Sequence, residues 1–256
     1  MSRRKSRRNS SQSRAKYYVV GGIALVAIVG YLLATTSVQG QRGTSSGSSS
    51  TTQSASTSET SASSKPIILY VNQGNGMVNG SNFGELLSTA TSQGFNTIFF
   101  QVYRAGTLLF TSDSLTQFAA SAHDQGLKIF FALYFTNSTQ AIPTSIYSDG
   151  EDGISLDMST LTIATQTALF GQLSSSYSGK TAITTTYPSL PVTPDLLVVE
   201  TYAPSDQQYI HHGMIAGVEV VAASSKQDYE QQVQYALDNS DGVMVFDYAG
   251  LVKSGY

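Results

Sequence analysis

From residue 66 onward the chain repeats one grammar: a short run rich in Val, Ile, Phe and Tyr, then a helical pattern or a turn signal, then another such run. Eight runs follow this scheme: 66–71, 96–103, 127–134, 152–158, 180–187, 195–202, 215–222 and 241–248. Parallel neighbours need connections of about a dozen residues, usually helical, so short strands alternating with helical spacing predict a parallel sheet with crossovers. That spacing is clear at Phe83, Leu86, Leu87 and Ala90, and again at Leu115, Phe118, Ala119 and Ala122. Longer patterns run from Leu161 to Tyr177 and from Asp228 to Leu237, and Gly94, Gly126 and Gly179 sit where helices should stop. The GNGMVNG stretch after the first run reads as a glycine turn. It lacks the acid or the Lys-Ser/Thr that a nucleotide-binding loop would add.

The fold class predicted is α/β: a small (β/α)8 TIM-type barrel with reduced helices. Residues 66–256 number 191, slightly under the usual minimum of about 200 for such a barrel. The stretch YPSLPVTPD leaves no room for a helix after the fifth run. Only eight residues follow Tyr248, so the last helix is expected to be missing.

Three segments precede the barrel. Residues 1–16 form a basic tail in which Arg3, Arg4, Lys5, Arg7, Arg8, Arg14 and Lys16 meet no acid. Residues 17–36 carry no charge, and twenty helical residues reach about 30 Å, the thickness of a bilayer core. A single transmembrane helix, held in the lipid bilayer through residues 17–36, is therefore expected. The positive-inside bias places the N-terminus in the cytoplasm and the C-terminal domain outside the cell membrane. A nucleic-acid-binding arm or a cleaved signal peptide are the alternatives. Residues 37–65 hold 12 serines and five threonines in 29 positions, a composition that cannot bury enough apolar surface to fold and reads as a disordered tether. Asn79-Gly80-Ser81 and Asn137-Ser138-Thr139 match the N-glycosylation pattern.

Within 66–256 there are five basic residues and 16 acidic ones, a net charge near −11. This balance excludes nucleic acid as a natural partner, because phosphates require a positive surface, and favours a neutral or cationic one. The chain has no cysteine, which removes disulfides, zinc-thiolate sites and thiol catalysis. His211 and His212 are adjacent and lack a third ligand at metal spacing, so neither a metal nor a cofactor is expected.

GFNTIFFQVYRAGTLLFTS followed by AHDQGLKIFFALY resembles the uncharacterised glycoside-hydrolase-like TIM-barrel families. In those families a Gly-Phe-Asn-x-(apolar)-Phe-x-Gln-Val-Arg-like strand precedes an Ala-His-x-x-Gly-(apolar)-Lys unit. DGISLDM resembles their Asp-Gly-Ile-x-Leu-Asp strand. LLVVETYAP and GVMVFDY are also similar to corresponding strands there and, more distantly, in family 18 chitinases. The resemblance covers most of 66–256. Two departures stand out. Tyr103 occupies the position of the families' arginine, and strict alternation puts Arg104 on the opposite strand face. Against the chitinase pattern, Ser159 stands where the general-acid glutamate would be.

Glycoside hydrolysis commonly uses two carboxyl groups across the scissile bond, and barrel enzymes carry their reactive groups at C-terminal strand ends. Asp157, Glu200 and Asp247 meet that condition and are the candidate catalytic residues. The resemblance implies Asp157 as nucleophile or stabiliser and Glu200 as acid/base, with Glu219 deeper in its strand. Each also has a plain structural alternative as a cap or ion-pair partner. Tyr70, Tyr103, Tyr134, Tyr187, Tyr202 and Tyr248 fall at or near strand ends, and Gln101 lies in the resemblance-bearing second run. Together these are the candidate substrate-binding residues. Phenol rings suit the C–H faces and hydroxyl groups of sugars, although strand propensity alone also favours tyrosine. The expected partner is a polysaccharide or glycan. Alternatives to a hydrolase are a non-catalytic glycan-binding protein and a structural envelope protein.

Overall fold

A computed structural model describes residues 64–73, 78–147 and 149–256. The basic tail, the expected transmembrane helix, nearly all of the tether and residues 74–77 of the GNGMVNG turn lie outside the described residues. Among the described residues no helix is long and apolar enough to cross a membrane.

Nine strands form one sheet: β1 (Ile67–Val71), β2 (Thr97–Arg104), β3 (Thr107–Leu108), β4 (Lys128–Tyr134), β5 (Gly153–Asp157), β6 (Lys180–Thr185), β7 (Leu196–Glu200), β8 (Ile215–Glu219) and β9 (Val243–Phe246). The eight predicted runs are β1, β2 and β4 to β9. All pair in parallel, and β1 joins both β9 and β2, so the sheet closes into an eight-stranded barrel. The short β3 was not predicted. It folds back antiparallel on β2 as a hairpin at the mouth.

Period-2 alternation sorts the apolar side chains into two layers. Ile68, Tyr70, Phe99, Phe130, Ala132, Ala182, Val198, Ile215 and Met244 fill the barrel. Their outward-facing neighbours, such as Leu69, Phe100, Phe131, Ile183 and Val245, pack beneath the helices. The interior is tight at its base: a Cβ on Gly153 would lie 2.6 Å from the Lys180 carbonyl oxygen and collide with the Phe130 ring.

The helices are α1 (Phe83–Ser92), α2 (Ser112–His123), α3 (Ile163–Ser176), α4 (Lys226–Asn239) and α5 (Tyr248–Ser254). The expected apolar stripes are the buried ones: Leu86, Leu87 and Ala90 on α1, and Leu115, Phe118, Ala119 and Ala122 on α2. Thr111, Thr162 and Ser225 cap α2, α3 and α4 by accepting backbone N–H groups. Residues 186–195 contain no helix, as YPSLPVTPD predicted, and only 3-10 turns, Thr144–Ile146 and Pro204–Tyr209, lie between β4 and β5 and between β7 and β8. The expectation of a missing last helix is corrected. A two-turn helix starts at Tyr248 itself, capped by Asp247 and closed by Gly255 at φ 69°, so the eight residues suffice.

Lys65 belongs to the fold: its Nζ donates to the carbonyls of Leu237 (2.7 Å) and Ser240 (2.9 Å) at the C-terminal end of α4, a favourable place for a cation. The chain thus enters the barrel at the pole opposite the C-terminal strand ends.

Candidate active site

The C-terminal ends of β5 and β7 carry Asp157 and Glu200, with β6 between them. Asp157 is 5% exposed. The Tyr70 hydroxyl, from β1 across the barrel, donates to its Oδ2 at 2.7 Å, and Gln101 Nε2 in turn donates to the Tyr70 oxygen at 3.3 Å. The Ser159 hydroxyl donates to Oδ1 at 3.4 Å. Burial raises the Asp157 pKa, while Tyr70, the Ser159 N–H and hydroxyl and the Arg104 charge oppose the rise by favouring the anion. Tyr70 itself is pushed well above its ordinary range, by burial first and then by the Asp157 charge.

Glu200 is pushed up to about 7, chiefly by burial and then by the negative charge of Asp157. The Ser159 and Tyr202 hydroxyls offset part of that rise, and Glu219 adds to it. Ser159 stands beside the pair: its hydroxyl bonds Asp157 and favours the Glu200 anion, and all three side chains line one cavity. The Tyr202 hydroxyl lies close enough to Glu200 to favour its anion, but it is buried and bonds to no described residue.

A cavity of about 230 Å3 opens over this pair, walled by Asn72, Gln101, Arg104, Tyr134, Tyr202 and Phe246 besides the two acids and Ser159. Arg104 reaches it through a β-bulge. The β2–β4 register passes from Gln101 opposite Ala132 directly to Tyr103 opposite Leu133, leaving Val102 as an extra residue. Val102 and Tyr103 both pack in the outer layer. Arg104 therefore shares the inner face with Gln101, which corrects the placement expected from strict alternation. Its Nη1 donates to Asn72 Oδ1 (3.0 Å) and Gln101 Oε1 (3.4 Å), and its guanidinium lies over the Tyr134 ring at 5.3 Å.

Tyr70, Gln101, Tyr134 and Tyr202 gather with Asp157 and Glu200, whereas the other four candidates do not. Tyr103 faces outward, packs its ring at a tilt against Phe135 and donates to the Ala141 carbonyl at 3.1 Å, because the bulge turned it away. Tyr248 opens α5 and is buried in the outer layer. Tyr187 lies past the end of β6 and lines neither the cavity over the acids nor its neighbour. Asp247 caps α5, its Oδ1 accepting from the Gly250 N–H at 2.9 Å, and lines neither space either. Glu219 sits at the end of β8 rather than deep in the strand, its pKa raised by burial and then by Asp247. The histidines serve elsewhere: His123 pairs with Asp152 at 2.9 Å and His212 with Asp241 at 3.0 Å.

Asn72, Ser159 and Phe246 were not foreseen as lining residues. Only Ser159 had a signal, as the position where an acid was missing. A second cavity of about 490 Å3 adjoins the first at Glu200 and Tyr202 and runs toward Thr186, Pro188, Asp206 and Tyr209.

No protein-family model matches the chain, and no curated protein sequence matches it. Among solved structures it is similar to CpGH84B, at 8% identity and a TM-score of 0.49 over 71% of this chain and 44% of that one. The noncanonic maltogenic α-amylase AmyB of Thermotoga neapolitana gives 10% identity and a TM-score of 0.47 over 72% and 67% of the two chains. The xylanase and α-amylase inhibitor protein XAIP-II of Scadoxus multiflorus gives 12% identity and a TM-score of 0.45 over 75% and 96%. This chain therefore spans less than half the length of CpGH84B. What is established is the architecture, a small TIM-type barrel closed by eight parallel strands.

Proposed function

We propose that this is a membrane-anchored, extracytoplasmic, glycoside-hydrolase-like protein that acts on an envelope or extracellular polysaccharide through carboxylate acid/base chemistry. The observation that carries the reading is the pair Asp157 and Glu200: two carboxyls from different strands line one cavity with Ser159, and the charge of Asp157 helps raise the Glu200 pKa. Burial and the Asp157 charge push Glu200 up to about 7, so this carboxyl holds a proton to near neutrality. Glu200, protonated, gives its proton to the glycosidic oxygen as the C–O bond breaks. Asp157, anionic, attacks or stabilises the anomeric carbon. Water then adds at that carbon and returns its proton to Glu200.

A non-catalytic glycan-binding role is favoured by one observation: both oxygens of Asp157 already accept hydrogen bonds, from Tyr70 and from Ser159. One experiment separates the two readings. The full chain, purified in detergent, is incubated with β-1,4-linked glucan, xylan, chitin, chitosan and α-1,4-glucan, beside its Asp157→Ala and Glu200→Gln variants. Release of reducing ends by the wild type, lost by a hundredfold or more in both variants, is the expected outcome. Hydrolysis unaffected by either change refutes the assignment, and retention of a glycan without cleavage establishes the binding role.

Anchoring rests on the uncharged segment 17–36 behind a basic tail. The chain enters the barrel at the pole opposite the acids, so an anchored domain would present its mouth away from the bilayer.

A further inference from the structure

We infer that the cavity beside the acids, between the 186–188 loop and the 3-10 turn Pro204–Tyr209, is a second sugar subsite, and that the ligand is an oligomer spanning both spaces. This rests on the sugar-directed reading above. The mouth cavity holds about 230 Å3, below the roughly 300 Å3 at which small-molecule sites begin. Alone it has room for little more than one ring. The lateral cavity, at about 490 Å3, lies within the usual range and shares Glu200 and Tyr202 with the first.

The junction is what gives the second space meaning. An acid that protonates a glycosidic oxygen must stand between the two sugars that the oxygen joins. Glu200 lines both cavities, and no other acid does so. At the same junction the Tyr202 hydroxyl is buried and bonds to no described residue, an unmet polar group that a ligand hydroxyl can satisfy.

The lateral cavity is built for a ring. Tyr209, 47% exposed, offers an aromatic face at its outer side, and Pro188 and Thr186 form part of its wall. Apolar C–H faces of a pyranose stack on such a platform. Asp206 is held by the Ala203 N–H (3.0 Å) and the Ser205 hydroxyl (3.3 Å), and it brings a negative charge to a cavity whose described lining has no basic side chain. The subsite therefore fits a neutral or amino sugar and disfavours a uronate or sulfated one.

Binding, rather than turnover, tests this. The full chain is titrated with gluco-, xylo-, chito- and chitosan oligosaccharides of one to four β-1,4-linked units, beside Tyr209→Ala and Tyr209→Phe. For the series that binds, wild-type affinity should rise about tenfold or more from one unit to two or three. Tyr209→Ala should remove most of that rise, and Tyr209→Phe should restore it. Tyr209 is exposed, so its truncation does not threaten the fold. A length dependence that persists in Tyr209→Ala overturns the second subsite alone. Binding of no member of the four series overturns the sugar reading and the subsite with it.

Discussion

At the scale of single residues, the two acids meet beside one serine. Ser159 stands where the chitinase-like pattern has glutamate, and the sequence alone reads that as a lost acid. In the fold, Glu200 from β7 lines the same cavity as Asp157 and Ser159, so the second carboxyl comes from two strands away. The pKa of Glu200, about 7 against an ordinary 4.5, makes a thermodynamic prediction. Between those values the folded chain keeps a proton that the unfolded chain has lost, so the Glu200 contribution to stability falls as pH rises from about 4.5 to about 7. The loss is at most about 3 kcal/mol at pH 8, and less to the extent that solvent screens the carboxyl. Urea unfolding should find Glu200→Gln near wild type at pH 5 and more stable at pH 8. An equal difference at both pH values would count against this. Tyr70→Phe removes the shortest bond to Asp157, a hydrogen bond to a charged group worth about 1.5–3 kcal/mol. That variant should lose stability at pH 7, and its Asp157 carboxyl, followed by NMR, should titrate at higher pH than in the wild type. An unmoved titration would mean that the tyrosine does not support the anion.

At the scale of elements, the β2 bulge and the α5 cap decide which candidates reach the mouth. The resembling families follow Gln-Val directly with arginine, whereas this chain has Gln101-Val102-Tyr103-Arg104, one residue longer. The bulge absorbs the extra residue and leaves Gln101 and Arg104 on the inner face. Alternation read from sequence assumes an unbroken period of two, and nothing local marks the break. Asp247 shows the converse limit. It lies at a strand end, as a catalytic acid would, but a helix begins at the next residue and takes the carboxylate as its cap. Asp247→Ala should lower stability by about 1 kcal/mol, whereas Asp247→Asn keeps a capping oxygen and should leave both thermal unfolding and glycan turnover nearly unchanged. A stable Asp247→Asn protein without turnover would instead place this carboxyl in the chemistry.

At the scale of the whole molecule, closure of the sheet gives the barrel two distinct poles. Lys65 fastens the chain's entry at one pole, and Asp157, Glu200 and Glu219 end strands at the other. The chain's entry and the candidate acids are thereby separated by the length of the barrel. The anchoring proposal predicts that the full chain sediments with membranes and resists alkaline extraction, and that deletion of residues 17–36 releases it to the soluble fraction. Release of the full chain by high salt alone would reduce the association to the charge of the basic tail.

What the sequence determined by itself was the set of eight strands, the apolar faces of the helices and the absence of a helix after β6, because these follow from local periodicity and turn chemistry. The weight on Asp157 came from its local motif, and that on Glu200 from its strand end. Tertiary structure alone decided that Tyr70 and Gln101 would support Asp157 from across the barrel, that Arg104 would turn inward, that Tyr103 and Tyr248 would turn outward, and that a second cavity would open beside Glu200. These depend on register, bulge and closure, which join residues far apart in the chain and leave no periodic trace along it.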